Sequence, residues 1–214
     1  MSPNVLPRRS LLATCAAALA CVASLPATAR PAAAPPSDGF SLSSPDIAPG
    51  GGIDNRFVLS GFGCSGDNVS PALEWRNAPA GTKSFVVQVY DPDAPTGSGF
   101  WHWTVYNIPA SVTQLPRGAG NAAARLPAGA HGGANDFLDT GVTGENGNYG
   151  GPCPPAGEKA HRYVFTVYAL AVADIDAAAG VPKTGTAALH GFVLNRGLGR
   201  KMLGKASFTA LYGR

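Results

Sequence analysis

A chain of 214 residues is long enough for one domain with a sizeable core, and its formal net charge of +3 comes with no basic run. A charge so near neutrality argues against nucleic acid as the main partner. The 28 glycines and 19 prolines favour many turns and long loops over helices.

Residues 1–29 have the features of a secretory signal peptide. A basic start with Arg8 and Arg9 precedes the apolar run LLATCAAALACVASL, and residues 27–29 offer a cleavage site of small residues. The apolar run is too short for a membrane span and ends at Pro26. We therefore expect an exported protein, periplasmic or secreted. The arginine pair is compatible with the twin-arginine route and with general secretion, and both routes stay open.

The chain continues with a predicted flexible tether at residues 30–38 and a predicted single domain at residues 39–214. Removal of the signal segment takes two arginines and no acidic residue, so the net charge falls to about +1. Cys15 and Cys21 lack the leucine and the apolar length of a lipoprotein signal, and that alternative is disfavoured. No stable membrane span is predicted in the mature chain.

Strand patterns dominate the mature chain. Runs of β-branched and aromatic residues predict strands at 40–44, 57–61, 85–91, 102–109, 161–172 and 206–214. Helical signals are sparse: residues 173–180 predict one short helix, and residues 186–203 have a helical spacing that three glycines weaken. With a glycine-rich loop at 118–152, this order predicts a mainly β fold, an antiparallel sandwich or barrel with short peripheral and C-terminal helices.

Three of the predicted strands carry an ionisable residue at one end. Asp91 ends one strand, while His102 and His161 each begin another, with Tyr163 on the same face as His161. Strand ends joined by long loops are where sites tend to lie. Two imidazoles, one carboxylate and a hydroxyl make a donor-rich pocket suited to phosphate, carboxylate or sulfate. We expect Asp91 to hydrogen-bond or charge-couple to one of the histidines.

Each of these residues also has a purely structural interpretation. A histidine at a strand end is more often hydrogen-bonded within the fold than bound to a ligand, and Asp91 and Asp93 around a proline are ordinary turn residues. His131 lies in HGGAN, a pattern found in esterase oxyanion loops, but no G-x-S-x-G nucleophile motif accompanies it. No short-range ligand pair such as H-x-H or H-E-x-x-H supports a metal site.

Two cysteines, Cys64 and Cys153, remain once the signal segment is removed. Export would place them where disulfides persist, and an even number is what a bridge requires. We predict that they are bonded to each other; the alternative is two separate buried thiols.

A set of motifs runs through the chain: CSGDNVSPALEW (64–75), DPDAP (91–95), HWTVYNIP (102–109) and GGPCPPAGEKAHRYVFTVYAL (150–170). Together they resemble the phosphatidylethanolamine-binding protein family, and most closely its bacterial and archaeal YbhB/YbcL branch of Raf-kinase-inhibitor-like proteins. FSLSSPDIAPGGGID and ASFTALYGR resemble the first and closing strands of that family. The resemblance covers the chain from about Phe40 to its C terminus.

The resemblance implies a large antiparallel sheet packed on a smaller one, and a small pocket that accepts phosphoryl groups. In the family, the first Asp of D-P-D-A-P, the His of the HW segment, the His and Tyr of H-R-Y and the preceding Gly/Pro loop form this pocket. Those positions are here Asp91, His102, His161, Tyr163, Gly151, Pro154 and Pro155, with Asp93 close by. We expect Phe100, Trp101 and Trp103 to form or brace the pocket wall.

Residues 138–148, LDTGVTGENGN, depart from the family pattern, which has only a few residues there. This insertion beside the pocket mouth is placed to cover the pocket or to alter the choice of partner. We expect an exported, non-catalytic binding protein for a small anion, with no cofactor and no metal. The alternative is a secreted inhibitor or regulator of a protease or kinase that acts through this loop or the pocket rim. A His/Asp hydrolase is the third, less favoured interpretation.

Overall fold

The computed structural model describes residues 39–138 and 140–214, so the predicted signal peptide and tether lie outside the described residues. The strands of the described part are β1 Ser41–Ser43, β2 Ser60–Gly61, β3 Cys64–Ser65, β4 Leu73–Arg76, β5 Ser84–Asp91, β6 Phe100–Pro109, β7 Gln114–Leu115, β8 His131–Gly132, β9 His161–Leu170 and β10 Met202–Tyr212. The helices are α1 Ile175–Ala179 and α2 Ala187–Phe192, which a π-helical turn at Val193–Gly197 extends. Short 3-10 turns lie at Asn55–Phe57, Ala119–Asn121, Ala123–Arg125 and Gly199–Lys201.

The strands form a large and a small antiparallel sheet, as the sequence predicts. The large sheet has the order β10-β9-β5-β6-β8 and the small one the order β1-β4-β7, with β2 and β3 as a separate hairpin. The inner face of the large sheet packs on the small sheet, and Trp75 contacts Phe85 across this interface with ring centroids 5.3 Å apart. Truncation of such a buried aromatic to alanine costs about 3–5 kcal/mol, so this interface holds the two sheets together.

The predicted elements are present with shifted ends. The long strand predicted at 161–172 ends at Leu170, and the closing strand begins at Met202, earlier than predicted. The prediction of a strand throughout 57–61 is wrong, because a 3-10 turn capped by Asp54 occupies its start and only Ser60–Gly61 is in a strand. The predicted helix at 173–180 is confirmed as α1, which begins at the Asp174 cap and ends at Gly180 with φ +66°.

Two register shifts interrupt the pairing of β5 with β6. One lies between Val89 and Tyr90, which pair with Trp103 and Trp101, so that β6 carries one extra residue at His102. The other lies farther along β6, where Asn107 has φ +56°. Such bulges reverse which face the following side chains occupy. The first bulge is therefore what redirects the side chains around His102.

A buried polar cluster attaches both helices to the sheet. The two carboxylate oxygens of Asp176 in α1 accept hydrogen bonds at 2.9 Å from His131 of β8 and His190 of α2. The His190 ring also stacks on Tyr106, with centroids 4.2 Å apart. Burial alone would raise the pKa of Asp176, but the hydrogen bonds from the two histidines outweigh it and the pKa lies below its ordinary value. His131 thus has a packing role, away from the strand ends that carry Asp91 and His161.

The predicted disulfide is present between Cys64 and Cys153. It joins the β2–β3 hairpin to the loop that precedes β9, across a sequence separation of 89 residues. The guanidinium of Arg214 reinforces this connection, because its Nε donates to the Pro154 carbonyl and its Nη1 to the Gly63 carbonyl. The disulfide and Arg214 therefore connect the β2–β3 hairpin and the Gly/Pro loop into one continuous wall.

Candidate functional site

A cavity of about 230 Å³ opens where β5 ends and where β6 and β9 begin, and we call it the strand-end cavity. Its lining residues are Phe62, Asp91, Ala94, Pro95, Thr96, Phe100, His102, Phe137, Cys153, Pro154, Pro155, His161 and Tyr163. The three residues predicted from strand ends, Asp91, His102 and His161, thus share one cavity, and Tyr163, Pro154, Pro155 and Phe100 join them there.

Asp91 forms the centre of the hydrogen-bond network in the cavity. Its Oδ1 accepts from the backbone N–H groups of Asp93 at 2.8 Å and Ala94 at 3.1 Å, which is the turn that D-P-D-A-P favours. Its Oδ2 lies 2.8 Å from Nδ1 of His161. The predicted coupling of Asp91 to a pocket histidine is therefore observed, and the partner is His161.

His161 is held from both sides by carboxylates. While Nδ1 bonds to Asp91, Nε2 lies 3.3 Å from a carboxylate oxygen of Glu158. Burial alone would lower the pKa of His161, but the hydrogen bonds to Asp91 and Glu158 outweigh it, and the pKa lies above its ordinary value. The ring is thus an imidazolium over a wider pH range than a free histidine.

His102 has the opposite character. Its ring is buried, and burial lowers its pKa to about 4 despite a hydrogen bond of 2.9 Å between Nδ1 and the Gly150 carbonyl. A carbonyl can only accept, so Nδ1 carries the proton of the neutral ring and Nε2 is left as an acceptor. The cavity therefore combines one histidine whose pKa is raised with one whose pKa is lowered.

Tyr163 contributes a buried hydroxyl that is short of a partner. The side chain is almost fully buried, and its ring meets His102 edge to face at 5.2 Å between centroids. The hydroxyl approaches Asp91, but it reaches hydrogen-bond geometry with no group among the described residues. Burial raises the pKa of Tyr163 above its ordinary value, so the group remains a donor. A buried polar atom of this kind usually has a partner in the working protein.

The rim of the cavity is aromatic, and most of it was not predicted. Phe137 packs on Phe100 with ring centroids 4.7 Å apart, and Phe62 stacks on Phe137 at 6.4 Å. Phe62 is 60% exposed at the tip of the β2–β3 hairpin, with φ +50°. The sequence motifs did not identify Phe62, Phe137 or Glu158, although Phe137 immediately precedes the insertion and Glu158 lies three residues before His161.

Two predicted ligand positions lie outside the cavity lining. Asp93 forms a bidentate ion pair with Arg162, with both contacts at 2.9 Å, and this pair lowers the pKa of the Asp93 carboxyl below its ordinary value. Gly151 packs against the backbone of Phe57 and Leu59, where an added Cβ would overlap main-chain atoms. Asp93 and Gly151 thus fix the two loops that carry the lining residues.

The two tryptophans occupy opposite faces of the large sheet, and neither lines the strand-end cavity. Trp103 is fully buried in the core between the sheets, where it meets Tyr149 edge to face. Trp101 lies on the outer face beside Tyr90, with ring centroids 4.5 Å apart. The bulge at His102 separates them, and the expectation that they wall the pocket is corrected, because neither is among the residues that line it.

The insertion packs beside the cavity mouth without lining it, as far as residues 138 and 140–148 show. Val142 abuts Gly61 of the β2–β3 hairpin, and Thr143 lies against Gly150. The Asn148 carbonyl accepts a bond of 2.6 Å from Asn135. The insertion is therefore anchored at its second half to the same wall that carries Phe62 and Cys153.

Neither a metal-binding cluster nor a membrane-spanning helix is found in the described residues. Over residues 39–138 and 140–214, no three His, Cys, Asp or Glu side chains are grouped so that they could hold a metal ion. Within the same ranges, no helix is both long enough and apolar enough to span a bilayer.

Comparisons with known proteins agree with the fold. The chain matches the model of the phosphatidylethanolamine-binding protein family over residues 43–212. It is 50% identical to the UPF0098 protein YbcL of Escherichia coli over 157 residues, which cover 73% of this chain and 80% of YbcL. It is 44% identical to the UPF0098 protein YbhB of Escherichia coli over 173 residues, covering 81% of this chain and 99% of YbhB.

A solved structure and a mycobacterial relative extend the comparison. The crystal structure of Escherichia coli YbcL, described as a member of the mammalian PEBP family, matches with a TM-score of 0.71 at 45% identity and covers 82% of this chain and 98% of that one. LppC of Mycobacterium tuberculosis, which is named as a candidate lipoprotein, is 37% identical over 140 residues, covering 65% of this chain and 60% of LppC. From the extent of the family match and the identity to YbcL and YbhB, the chain belongs to the phosphatidylethanolamine-binding protein family.

Proposed function

We propose that this chain is a non-catalytic binding protein whose strand-end cavity takes a small anion, a phosphoryl or carboxylate group. One observation carries the proposal: two histidines of opposite protonation behaviour and a buried tyrosine hydroxyl without a partner line the same cavity. An anion would accept a hydrogen bond from that hydroxyl.

The charges in the cavity favour an anion that still carries a proton. The imidazolium of His161 is already offset by Asp91 and Glu158, and His102 is neutral above a pH of about 4. A dianion would find little net positive charge there. A phosphate monoanion can donate its P–OH to Nε2 of His102 and accept from Tyr163. Because the second pKa of a phosphate lies at about 6, binding should strengthen as the pH falls towards 5.

The lining offers few groups for covalent catalysis, which supports a binding role. Among the described residues, the hydroxyls that line the cavity belong to Thr96, which donates to the Gly99 carbonyl at 2.5 Å, and to Tyr163, whose pKa is raised. The sulfur of Cys153 is in the disulfide. The hydroxyls and the thiol of the described lining therefore include no nucleophile activated by a neighbouring base.

We further propose that the protein is exported. The signal-like residues 1–29 support this proposal, and so does the disulfide, which persists in oxidising compartments. The similarity to LppC, which is named as a candidate lipoprotein, also supports a location outside the cytoplasm. Fractionation of cells that express the full chain, with mass spectrometry of the mature N terminus, tests export and the cleavage site; an uncleaved cytoplasmic product contradicts it.

Titration with inorganic phosphate and with phosphorylethanolamine, followed by NMR or calorimetry, tests the binding role. We expect saturable binding that strengthens from pH 8 to pH 5, with sulfate as a control that carries no proton in this range. Tyr163→Phe removes only the hydroxyl, and we expect it to weaken phosphate binding by about tenfold while leaving the melting temperature unchanged. An equal response of the wild type and of His161→Ala contradicts the proposal, as does turnover of a phosphoester that depends on His102.

A further inference from the structure

The outer face of the large sheet carries a second concave site, which we call the outer groove. It is defined by Gln88, Tyr90, Trp101, Thr166, Asn195 and Lys205, encloses about 340 Å³ and shares no lining residue with the strand-end cavity. The helices and the π-helical turn cover the other end of the same face, where Val86, Tyr168 and Leu170 pack against Val193 and Leu194. The groove is the part of this face that the helices leave open.

The residue types change along the outer face at the edge of the groove. On β5, Val86 lies under the helices, whereas Gln88 and Tyr90 follow it towards the open end. On β9, Leu170 lies under the helices, whereas Tyr168, Thr166 and Val164 line the groove. The polar side chains thus coincide with the concave region.

Gln88 on the floor of the groove is the most informative of these side chains. It is 5% exposed and lies between Thr104 and Thr166 in the strand register. Its Nε2 and the neighbouring Oγ1 of Thr104 both approach the buried Tyr106 hydroxyl, but none of the three atoms reaches hydrogen-bond geometry with any group of the described residues. Buried amides are usually paired, so the Gln88 amide keeps hydrogen-bonding capacity on the floor of the groove.

An aromatic pair forms the side of the groove next to Gln88. Tyr90 and Trp101 lie opposite each other on β5 and β6, with ring centroids 4.5 Å apart, and both remain partly exposed. The Tyr90 hydroxyl is anchored on the Ser98 carbonyl at 2.7 Å, which fixes its ring. On the opposite side of the groove, Asn195 lies on the π-helical turn. Its Nδ2 donates to the Gly191 carbonyl, so its Oδ1 remains able to accept a hydrogen bond.

We propose that the outer groove binds a saccharide ring. The C–H face of a pyranose suits the rigid aromatic pair, while its hydroxyls both donate and accept, as do the amide and hydroxyl side chains of Gln88, Asn195 and Thr166. The groove has one charged lining residue, Lys205, and no acidic one, which excludes a cationic peptide as the matching ligand. The site is thus independent of the anion proposed for the strand-end cavity.

NMR titration of the full mature chain with cellotriose, chitotriose and trigalacturonate tests the inference. We expect saturable shifts of the Trp101 indole N–H and of the Gln88 and Asn195 side-chain amides with at least one of these sugars. Trp101→Ala should weaken this binding by about tenfold or more, and phosphate binding should remain unchanged. The absence of saturable shifts with all three sugars overturns the inference, whatever happens at the strand-end cavity.

Two further variants separate recognition from packing. Gln88→Leu removes the amide, whose approach to the Tyr106 hydroxyl falls short of hydrogen-bond geometry, so we expect a small change in melting temperature together with weaker sugar binding. Phe192→Ala is the matched control, because Phe192 is 65% exposed on α2 and is not part of the groove lining. Sugar-induced shifts that persist in Trp101→Ala and Gln88→Leu, or that disappear equally in Phe192→Ala, contradict a ring-binding groove.

Discussion

The carboxylate of Asp91 and the imidazole of His161 are 2.8 Å apart, and both side chains are almost fully buried where β5 ends and β9 begins. This pair organises the strand-end cavity, because the other carboxylate oxygen of Asp91 closes the turn that carries Ala94 into the lining. The same hydrogen bond contributes to the raised pKa of His161, since it favours the protonated ring.

Asp91→Asn should lower the pKa of His161, because the neutral amide no longer favours the imidazolium. A pKa that is raised in the folded state stabilises the protein below the unfolded value of about 6.5, and this stabilisation disappears as the pH rises through the folded pKa. The stability difference between wild type and Asp91→Asn should therefore be largest below about pH 6.5 and shrink above it. NMR titration of the His161 ring and urea unfolding measure both effects.

The exposed Asp67→Asn change is the matched control for that experiment, because Asp67 is not among the carboxylates that act most strongly on the pKa of His161. It should leave the titration of His161 unchanged. An unaltered His161 titration in Asp91→Asn would mean that Glu158 alone sustains the imidazolium.

His102 should affect stability in the opposite direction. Its pKa of about 4 means that, between pH 6.5 and 4, the unfolded chain takes up a proton at this residue and the folded protein does not. Stability is therefore lost as the pH falls through this window, by roughly 3 kcal/mol at most. His102→Asn keeps a donor for the Gly150 carbonyl and should flatten this part of the profile. A profile that stays as steep as that of the wild type between pH 6.5 and 4 contradicts the assignment.

The strand pattern predicted the chemistry of the cavity better than it predicted the cavity walls. Asp91, His102 and His161 lie at the ends of neighbouring strands in one antiparallel sheet, so strand order brings them together, while the bulge at His102 sets the direction of that side chain. The positions of the two tryptophans could not be predicted in this way. One extra residue in β6 places Trp101 and Trp103 on opposite faces of the sheet, and no local sequence pattern marks this bulge. Pairing with a neighbouring strand, rather than the segment itself, determines where such a bulge lies.

The aromatic rim could not be predicted for a different reason. Phe62 reaches the cavity from a hairpin that the Cys64–Cys153 disulfide ties to the loop before β9, and Phe137 reaches it from a loop without regular structure. Both positions depend on contacts between segments far apart in the sequence. The motif resemblance identified the polar residues of the pocket, whose positions the strands determine, and left these apolar ones unassigned.

Replacement of both Cys64 and Cys153 by alanine should destabilise the protein by roughly 3–5 kcal/mol, because the disulfide closes a long loop. The variant should also bind phosphate more weakly, since Cys153 and the attached hairpin form one wall of the cavity. Thermal unfolding measures the loss of stability, and phosphate titration measures the loss of affinity. Reduction of the disulfide in the wild type should likewise lower the stability and weaken phosphate binding. A reduced protein that binds phosphate as tightly as the oxidised one would contradict the proposal that the disulfide positions this wall of the cavity.

Removal of residues 140–147 with a short glycine bridge should preserve the fold, because shortening an exposed loop changes the closure entropy by only about 0.6 kcal/mol per halving of its length. Phosphate affinity should change by no more than about threefold, since no residue of this range lines the strand-end cavity. Calorimetry on both forms provides the test. A large loss of affinity would show instead that the insertion acts as a lid, whereas a protease or kinase panel tests the alternative of a partner-binding loop.

Gly151→Ala should be among the most damaging single-methyl changes in this chain. The new Cβ would overlap the Phe57 carbonyl and the Leu59 backbone, and these main-chain atoms, which the bond from the Leu59 N–H to the Pro152 carbonyl ties to the same loop, cannot move aside as a side chain does. We expect a loss of roughly 2 kcal/mol or more of stability together with weaker phosphate binding, because Pro154 and Pro155 follow on the same loop. Gly52→Ala is the matched control, since its Cβ would meet nothing within 4 Å. Equal melting temperatures for the two variants would mean that the Gly/Pro loop is free to shift, and that its position does not define the cavity.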